Sequence, residues 1–368
     1  MIVILLITGC IILLYLLYPV YLMVSPKYTP PVQDRSVKEQ SVSLILLTFN
    51  GKVYIQEKIE LLNRELEHFQ KYEFIVVDDH STDGTQELLE SLQEKFKLKL
   101  MLKNEHLGIP NSMNMSVKAA RYDSVVFCDQ RQRFTGDFLR EIIAPLEDDE
   151  VGGVSGFISC LDNGNHLSFL RKHENFIKKC ESRTGNLIGV YGPLYAIRKS
   201  CYQEIGENII LDDLYLSLKI LEKKKIVLME KCRIVDDDFI SLYNCNRSKR
   251  YLQGLLQILI RKDLVGNMPF KLRIMLLWHK YLRLLIPPTV VLFYLFLAIL
   301  SPADTYAAVV FAILSICILI SIIARRLTIF SNLNNLFRIT VYYVVSMVIL
   351  TFNRIYLKIN FQTRMKRS

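Results

Sequence analysis

Carboxylates that end apolar runs are the first candidates for chemistry. Val76-Val77 leads into Asp78-Asp79, and Phe127-Cys128 leads into Asp129. Further on, Asp212-Asp213 opens an amphipathic stretch, and Arg247-Ser248-Lys249-Arg250 supplies clustered positive charge. A carboxylate accepts hydrogen bonds from hydroxyl and ring N–H groups, holds a hard cation through oxygen, or takes a proton as general base. Each group also has a plain structural use. Asp-Asp-His-Ser-Thr-Asp-Gly (78–84) is a good turn and capping sequence by itself, and Asp212 suits the cap of a helix over 213–223.

These residues need strands and helices to position them. Residues 42–49 read as a buried strand, 53–69 as an amphipathic helix, and 72–77 as a second strand. Thr82 is expected to cap a helix whose buried face is Leu88, Leu89, Leu92 and Phe96. A third strand is expected at 97–102 and a fourth at 124–128. The alternation predicts an α/β domain with a mostly parallel, Rossmann-like sheet and helices on both faces. Ligands gather at the carboxyl ends of such strands, the edge at which Asp79 and Asp129 fall. A nucleotide-sugar would need acceptors there for its base and ribose, and a metal or cations for its diphosphate.

Charge is unevenly distributed. Of 46 basic and 36 acidic residues, only Asp304 lies within 2–26, 284–324 or 339–353. The sequence therefore predicts a soluble domain at 40–245 between transmembrane segments. Residues 1–26 read as a retained N-terminal anchor, because no basic region precedes the apolar run and no small-x-small site follows it. Lys27, Arg35 and Lys38 then place the domain in the cytoplasm, at the cell membrane of a multi-pass protein. A C-terminal transmembrane region is expected over 285–353, with spans at 285–301 and 305–324. The block at 336–353 reads as a span or as a re-entrant or interfacial segment, and 354–368 as a basic tail.

Residues 246–284 interleave Lys and Arg with leucines and read as basic amphipathic helices on the lipid surface, with no nucleic-acid partner. Asp236-Asp237-Asp238 reads as an acidic turn after an edge strand. The eight cysteines form no C-x-x-C pair and the six histidines no H-E-x-x-H, which excludes zinc chemistry. Few spans with almost no charge inside them argue against a transporter.

Several segments in order carry a resemblance. They are Thr48-Phe49-Asn50, Val76 to Asp83, and Asn104-Glu105-His106-Leu107-Gly108 with Asn114. Phe127-Cys128-Asp129-Gln130-Arg131-Gln132, Gly192 to Arg198, Ile210 to Leu214, Arg247 to Tyr251, and Trp278-His279-Lys280 follow. Over about 40–290 this resembles family 2 glycosyltransferases of the GT-A fold. It looks most like the membrane-integrated branch of cellulose, chitin and hyaluronan synthases and bacterial exopolysaccharide enzymes. The resemblance implies that Thr48 and Asn50 contact nucleotide, Asp79 binds uracil, and Asp129 holds Mg²⁺ or Mn²⁺. It implies acceptor-side roles for Tyr195 and Arg198. Asp213 would be the catalytic base, with Asp212 as the alternative, and Arg250 with Arg247 would clamp the diphosphate.

Two positions depart from the family pattern. Arg131 replaces the second Asp of Asp-x-Asp, so either one carboxylate holds the metal or Arg131 offsets part of the diphosphate charge. Of Gln-x-x-Arg-Trp only Arg250 remains, with Arg247 and Tyr251 at the other positions. The resemblance implies a membrane-bound inverting transferase. It would pass a sugar from a nucleotide-sugar, expected to be a UDP-sugar, to a growing polysaccharide or lipid-linked acceptor, alongside membrane lipids and an accessory or export subunit. The alternatives are a single-transfer polyprenyl-phosphate enzyme, or a catalytically silent scaffold subunit of a polysaccharide synthesis complex.

Overall fold

The computed structural model describes residues 2–28, 40–159, 167–235, 245–260 and 267–323. The parallel half of its sheet is built from β1 (Ser41–Thr48), β2 (Lys71–Asp78), β3 (Lys99–Leu102) and β4 (Ser124–Asp129). β1 pairs in parallel with both β2 and β4, and β2 with β3. Val42, Leu44, Ile45 and Leu46 of β1 are fully buried, as expected of a strand covered by helices on both faces. The register sets Thr48 beside Asp78 and Leu47 beside Asp129, so three strands end on one edge.

Helices α2 (Lys52–Leu66), α3 (Thr85–Phe96) and α4 (Gly108–Ala119) come with this half, and α1 (Ile2–Val24) precedes it in the chain. Ile55, Ile59, Leu62 and Leu66 of α2 recur at helical spacing and are buried. Thr82 does not cap α3. Gly84 does so at φ +87°, a left-handed conformation that glycine adopts without steric cost. The preceding Asp83 instead accepts the Thr85 amide and hydroxyl.

The second half adds β5 (Arg133–Thr135), α5 (Phe138–Ile143), β6 (Val151–Ser159), α6 (Leu167–Ser182), β7 (Leu194–Arg198), α7 (Asp212–Leu221) and β8 (Lys225–Val235). The strand order is β3-β2-β1-β4-β7-β6-β8-β5. β7 runs antiparallel to β4 and β6, while β8 runs parallel to β6 and antiparallel to β5. The sheet is mixed, which corrects the mostly parallel expectation. β7 enters at the edge where β4 ends, since Pro193 O accepts the Asp129 amide at 2.9 Å, and from there it can only run back along β4. β8 is interior to the sheet, with β5 outside it.

Beyond the sheet lie α8 (Cys245–Ile260), α9 (Phe270–Leu276) with a π-helical turn at Leu277–Leu282, α10 (Arg283–Leu300) and α11 (Thr305–Ile323). Leu252, Leu255 and Ile258 turn the apolar side of α8 into the protein. Gln257 ties α8 to the chain ahead of α7, accepting from Ile210 N at 3.1 Å and donating to Asn208 O at 2.5 Å.

Among the described residues, no helix is long and apolar enough to cross a membrane, which corrects the expected N- and C-terminal transmembrane helices. Part of the apolar character of these stretches serves protein packing instead. Tyr18 and Leu22 of α1 and Leu284 and Leu297 of α10 are buried, and α1 packs on α6, the π-turn and α10. The segments expected at 236–238 and 336–353 and the basic tail lie outside the described residues.

Candidate active site

At the carboxyl edge of the parallel strands, two turns are clasped together. Asn50 N donates to Ser81 Oγ at 2.8 Å, and Asn50 Oδ1 accepts Thr82 N at 2.9 Å. Asn50 and His80 both sit at positive φ (48° and 65°), so the clasp holds backbone that few side chains adopt. Thr48 Oγ1 donates to Gln130 Oε1, and Gln130 Nε2 donates to Phe49 O at 3.1 Å. Thr48, Asn50 and the strand-end motif at 129–132 are thus one connected surface.

The neighbouring aspartates differ in use. Asp78 is fully buried and accepts from Ser81 N at 2.8 Å and Gln86 Nε2 at 2.7 Å, which makes it the strut of the turn. Asp79 accepts Leu107 N at 3.0 Å and Gly108 N at 2.8 Å, where α4 begins. Lys103 Nζ lies 2.7 Å from one Asp79 oxygen and His106 Nδ1 2.9 Å from the other. The half-exposed Phe49 ring packs 4.3 Å from His106 between ring centres and leaves an aromatic face beside this carboxylate. Four donors fill this carboxylate, and His106, whose side chain is exposed, is the partner that the N–H of a flat heterocycle would displace as its ring stacks on this face.

Asp129 closes β4. Its Oδ1 accepts Arg131 N at 3.3 Å, and the Arg131 side chain is exposed. Beneath, Lys58 Nζ donates to Gln132 O and lies 4.2 Å from the Phe134 ring centre. Burial pushes the Lys58 ammonium below its ordinary range. Among the described residues no group of three or more His, Cys, Asp or Glu side chains could hold a metal. One strand-end carboxylate still fits a Mg²⁺-type ion, since such ions keep waters and share their ligands with substrate phosphates.

Asp212 and Asp213 occupy the first turn of α7, whose N-cap is Leu211, so neither aspartate has the capping role. Burial, then the neighbouring Asp213 charge, pushes the Asp212 carboxyl up to about 7. Burial also raises Asp213, opposed by its hydrogen bond from Leu214 N and by the charges of Lys178, Lys280 and Arg250. Arg250 Nη2, from α8, lies 3.8 Å from Asp212 Oδ1 and donates to Ile210 O at 3.3 Å. A Cβ built on Gly192 would stand 3.4 Å from Asp213 Oδ2, so the chain entering β7 runs directly against this carboxylate.

Two expected acceptor-side residues are placed elsewhere. Tyr195 is buried, stacks on Phe127 with ring centres 4.9 Å apart, and points its hydroxyl at Met113 Sδ. Arg198 lies at the opposite edge of the sheet, opposite Ser124, 3.1 Å from Asp123 Oδ2. Arg247 lies in α8, but its side chain is outside the described residues. Sequence reasoning missed Lys103 and Gln130. Lys103 precedes the Asn104 motif and Gln130 lies within the Asp129 motif, and adjacency to Asn104 and Asp129 was the available signal. Lys178 lies in no motif.

Residues 43–206 match the model of the family described as Glycosyl transferase family 2. An uncharacterized glycosyltransferase, YfnE of Bacillus subtilis (strain 168), is 32% identical over 108 residues, covering 29% of this chain and 27% of its own. The poly-beta-1,6-N-acetyl-D-glucosamine synthase of Staphylococcus aureus (strain COL) is 23% identical over 197 residues, covering 51% and 47%. The chain thus spans about a quarter and about half of these curated relatives. Among solved structures, the mannosyltransferase PcManGT of Pyrobaculum calidifontis, in complex with GDP-Man and Mn²⁺, superposes with a TM-score of 0.71. It is 19% identical and the match covers 94% of this chain and 96% of its own, so it shares the fold. The family 2 glycosyltransferase match thus lies on the strands and turns that carry Asp79 and Asp129, within a fold shared with the Pyrobaculum enzyme.

Proposed function

We propose that this protein transfers a sugar from a nucleotide-sugar, a UDP-sugar in the first instance, to a hydroxyl of a growing glycan or lipid-linked acceptor, with inversion. One observation carries the reading. Asp129 N donates to Pro193 O at 2.9 Å, and a Cβ on the adjacent Gly192 would stand 3.4 Å from Asp213 Oδ2, so the chain at 192–193 passes close by both aspartates. A donor-side carboxylate and a basic carboxylate therefore flank one short piece of chain, as an in-line displacement needs.

In this mechanism Asp213 takes the proton of the acceptor hydroxyl as that oxygen attacks the anomeric carbon. The bond to the nucleoside diphosphate breaks on the opposite face, and the diphosphate leaves with the electron pair. Arg250 and Arg131 meet the developing charge. Asp79 accepts from the base, beside Phe49 and His106. A divalent cation, Mg²⁺ or Mn²⁺, would add charge neutralisation at the diphosphate, held on the protein side by Asp129. The Mn²⁺ in the Pyrobaculum relative supports that expectation.

The acceptor is polymeric or lipid-linked in this reading, which the polysaccharide synthase among the relatives supports. The departures at Arg247 and Tyr251 favour single transfer. Exposed apolar side chains on α1 and α10, including Leu13, Leu16, Leu292 and Ile299, support action at a lipid surface, where such an acceptor is presented, and the cytoplasmic side is part of this proposal.

The test is nucleoside diphosphate release by purified protein against a panel of nucleotide-sugars, with and without Mg²⁺ or Mn²⁺. Turnover of one donor supports the reading. Nucleotide binding without turnover of any donor, in the presence of lipid-linked and glycan acceptors, favours the silent scaffold, for which Arg131 in the metal motif is the specific argument. Absence of nucleotide binding overturns the nucleotide-sugar reading.

A further inference from the structure

A buried set of ionisable side chains behind Asp213 has no part in the mechanism above. α6 contributes Glu174, Lys178 and Glu181; the π-turn contributes His279 and Lys280; α1 contributes Tyr18. His279, with no exposure, bridges Glu181 Oε1 at 2.8 Å and Glu174 Oε1 at 3.1 Å. Lys280 Nζ lies 3.1 Å from Glu174, and Tyr18 donates to Glu181. Glu181 Oε2 also accepts Ile188 N at 3.1 Å, which ties the cluster to the loop leading into β7.

Lys178 joins this cluster to the site. It is 2% exposed, donates to Gly189 O, and sits 4.3 Å from the Tyr191 ring centre. Gly189 is at φ +86° and abuts Leu214, so only glycine gives the carbonyl this direction at low cost. The next amide, Val190 N, donates to Ser217 Oγ at 3.0 Å, and Ser217 Oγ donates to Asp213 O at 2.6 Å. Two residues later Gly192 meets the Asp213 carboxylate itself. One short loop thus has an ammonium on one side and Asp213 on the other.

We propose that Lys178 is a positioning residue for Asp213: its buried ammonium clamps the 189–192 loop against the start of α7, behind the carboxylate. Its charge, with those of Lys280 and Arg250, favours the ionised form of Asp213. The inference rests on the reading of Asp213 as the base. Burial, with Lys280 beside it, pushes Lys178 itself down to about 7, while Glu174, Glu181 and Asp213 pull it back up. The other charged groups facing the pair are Lys280 from the π-turn, Asp212 from α7 and Arg250 from α8. Tyr195 of β7 lies within their field. A buried ammonium bonded to a backbone carbonyl is a costly arrangement, retained where it fixes a piece of chain and a charge in place.

The test compares nucleoside diphosphate release across pH in the wild type, Lys178→Gln, Lys178→Met and Lys178→Arg, with nucleotide binding measured in each as the check on folding. Gln keeps a donor to Gly189 O without the charge, Met removes both, and Arg keeps the charge. The expected result is an acid limb displaced upward by about one pH unit in Gln and Met, with rates recovering at alkaline pH, and a near wild-type profile in Arg. A purely structural role would lower the rate equally at every pH, and that outcome, or an unmoved limb, overturns the inference. A wild type that binds nucleotide without turnover fails the transferase reading instead. The titration of the Asp213 carboxyl, followed by ¹³C NMR with and without Lys178, then still separates the two: an unchanged titration overturns the inference.

Discussion

Arg250 reaches from α8 to within 3.8 Å of Asp212, the immediate neighbour of the carboxylate that faces Gly192. In this structure the cation read as the diphosphate clamp is thus engaged with the aspartate pair. Donor binding must draw it toward the diphosphate or use it in both places. Replacing Arg250 by Ala is expected to lower kcat by about a hundredfold, as loss of one charge-stabilising donor does elsewhere. KM for the donor should rise as well, and steady-state kinetics at saturating donor separates the two effects.

Asp213→Asn is expected to reduce turnover by a factor of about 10² to 10⁴, the contribution of a positioned general base. Nucleotide affinity should stay close to wild type, because no described contact runs from Asp213 to the Asp79 edge. Asp212→Asn should be the milder variant. If the two losses are reversed in size, Asp212 is the base.

The aspartate pair also sets a stability trend. The Asp212 carboxyl is raised from its ordinary range to about 7, so the fold favours its protonated form. The associated stability is present below the unfolded carboxyl range and is lost as pH rises through about 7. Asp212→Asn removes that loss. Its melting temperature should exceed that of the wild type by a few degrees at alkaline pH and match it in acid, measured by thermal unfolding across pH.

Asp129→Asn is expected to weaken divalent-cation dependence while the protein remains folded, since its recorded partners are the neighbouring backbone groups Arg131 N and Pro193 O. Metal titrations of turnover, and of Mn²⁺ binding in the presence of nucleoside diphosphate, read this directly. A variant with the wild-type metal profile would leave Arg131 as the main neutralising group.

Tyr18→Phe removes the donor to Glu181, which already receives Ile188 N and lies against His279. Loss of one buried hydrogen bond to a charged acceptor costs about 1.5 to 3 kcal/mol. A lower melting temperature with unchanged donor KM would assign the contact to the docking of α1 on α6.

What could be read without the structure had a local cause. The β1 to β4 alternation follows from apolar strand runs and from helix faces such as Ile55, Ile59, Leu62 and Leu66, where period and burial coincide. Asp79 and Asp129 were legible because strand ends in parallel sheets share an edge. Asp212-Asp213 and Arg250 stood out as clustered charge, but their roles came only through the resemblance. Tertiary structure decided the rest. Tyr195 and Arg198 lie in the same motif, yet β7 runs antiparallel, so one enters the core and the other reaches the far edge. The apolar stretches around Tyr18 and Leu284 read as spans, because hydropathy does not register that a tyrosine hydroxyl will meet Glu181 or that a leucine will pack on protein. Lys178 stood in no pattern. Its place behind Asp213 arises from the meeting of α6, the 189–192 loop and α7, segments far apart in the chain, where burial and a neighbouring charge determine what a lone lysine does.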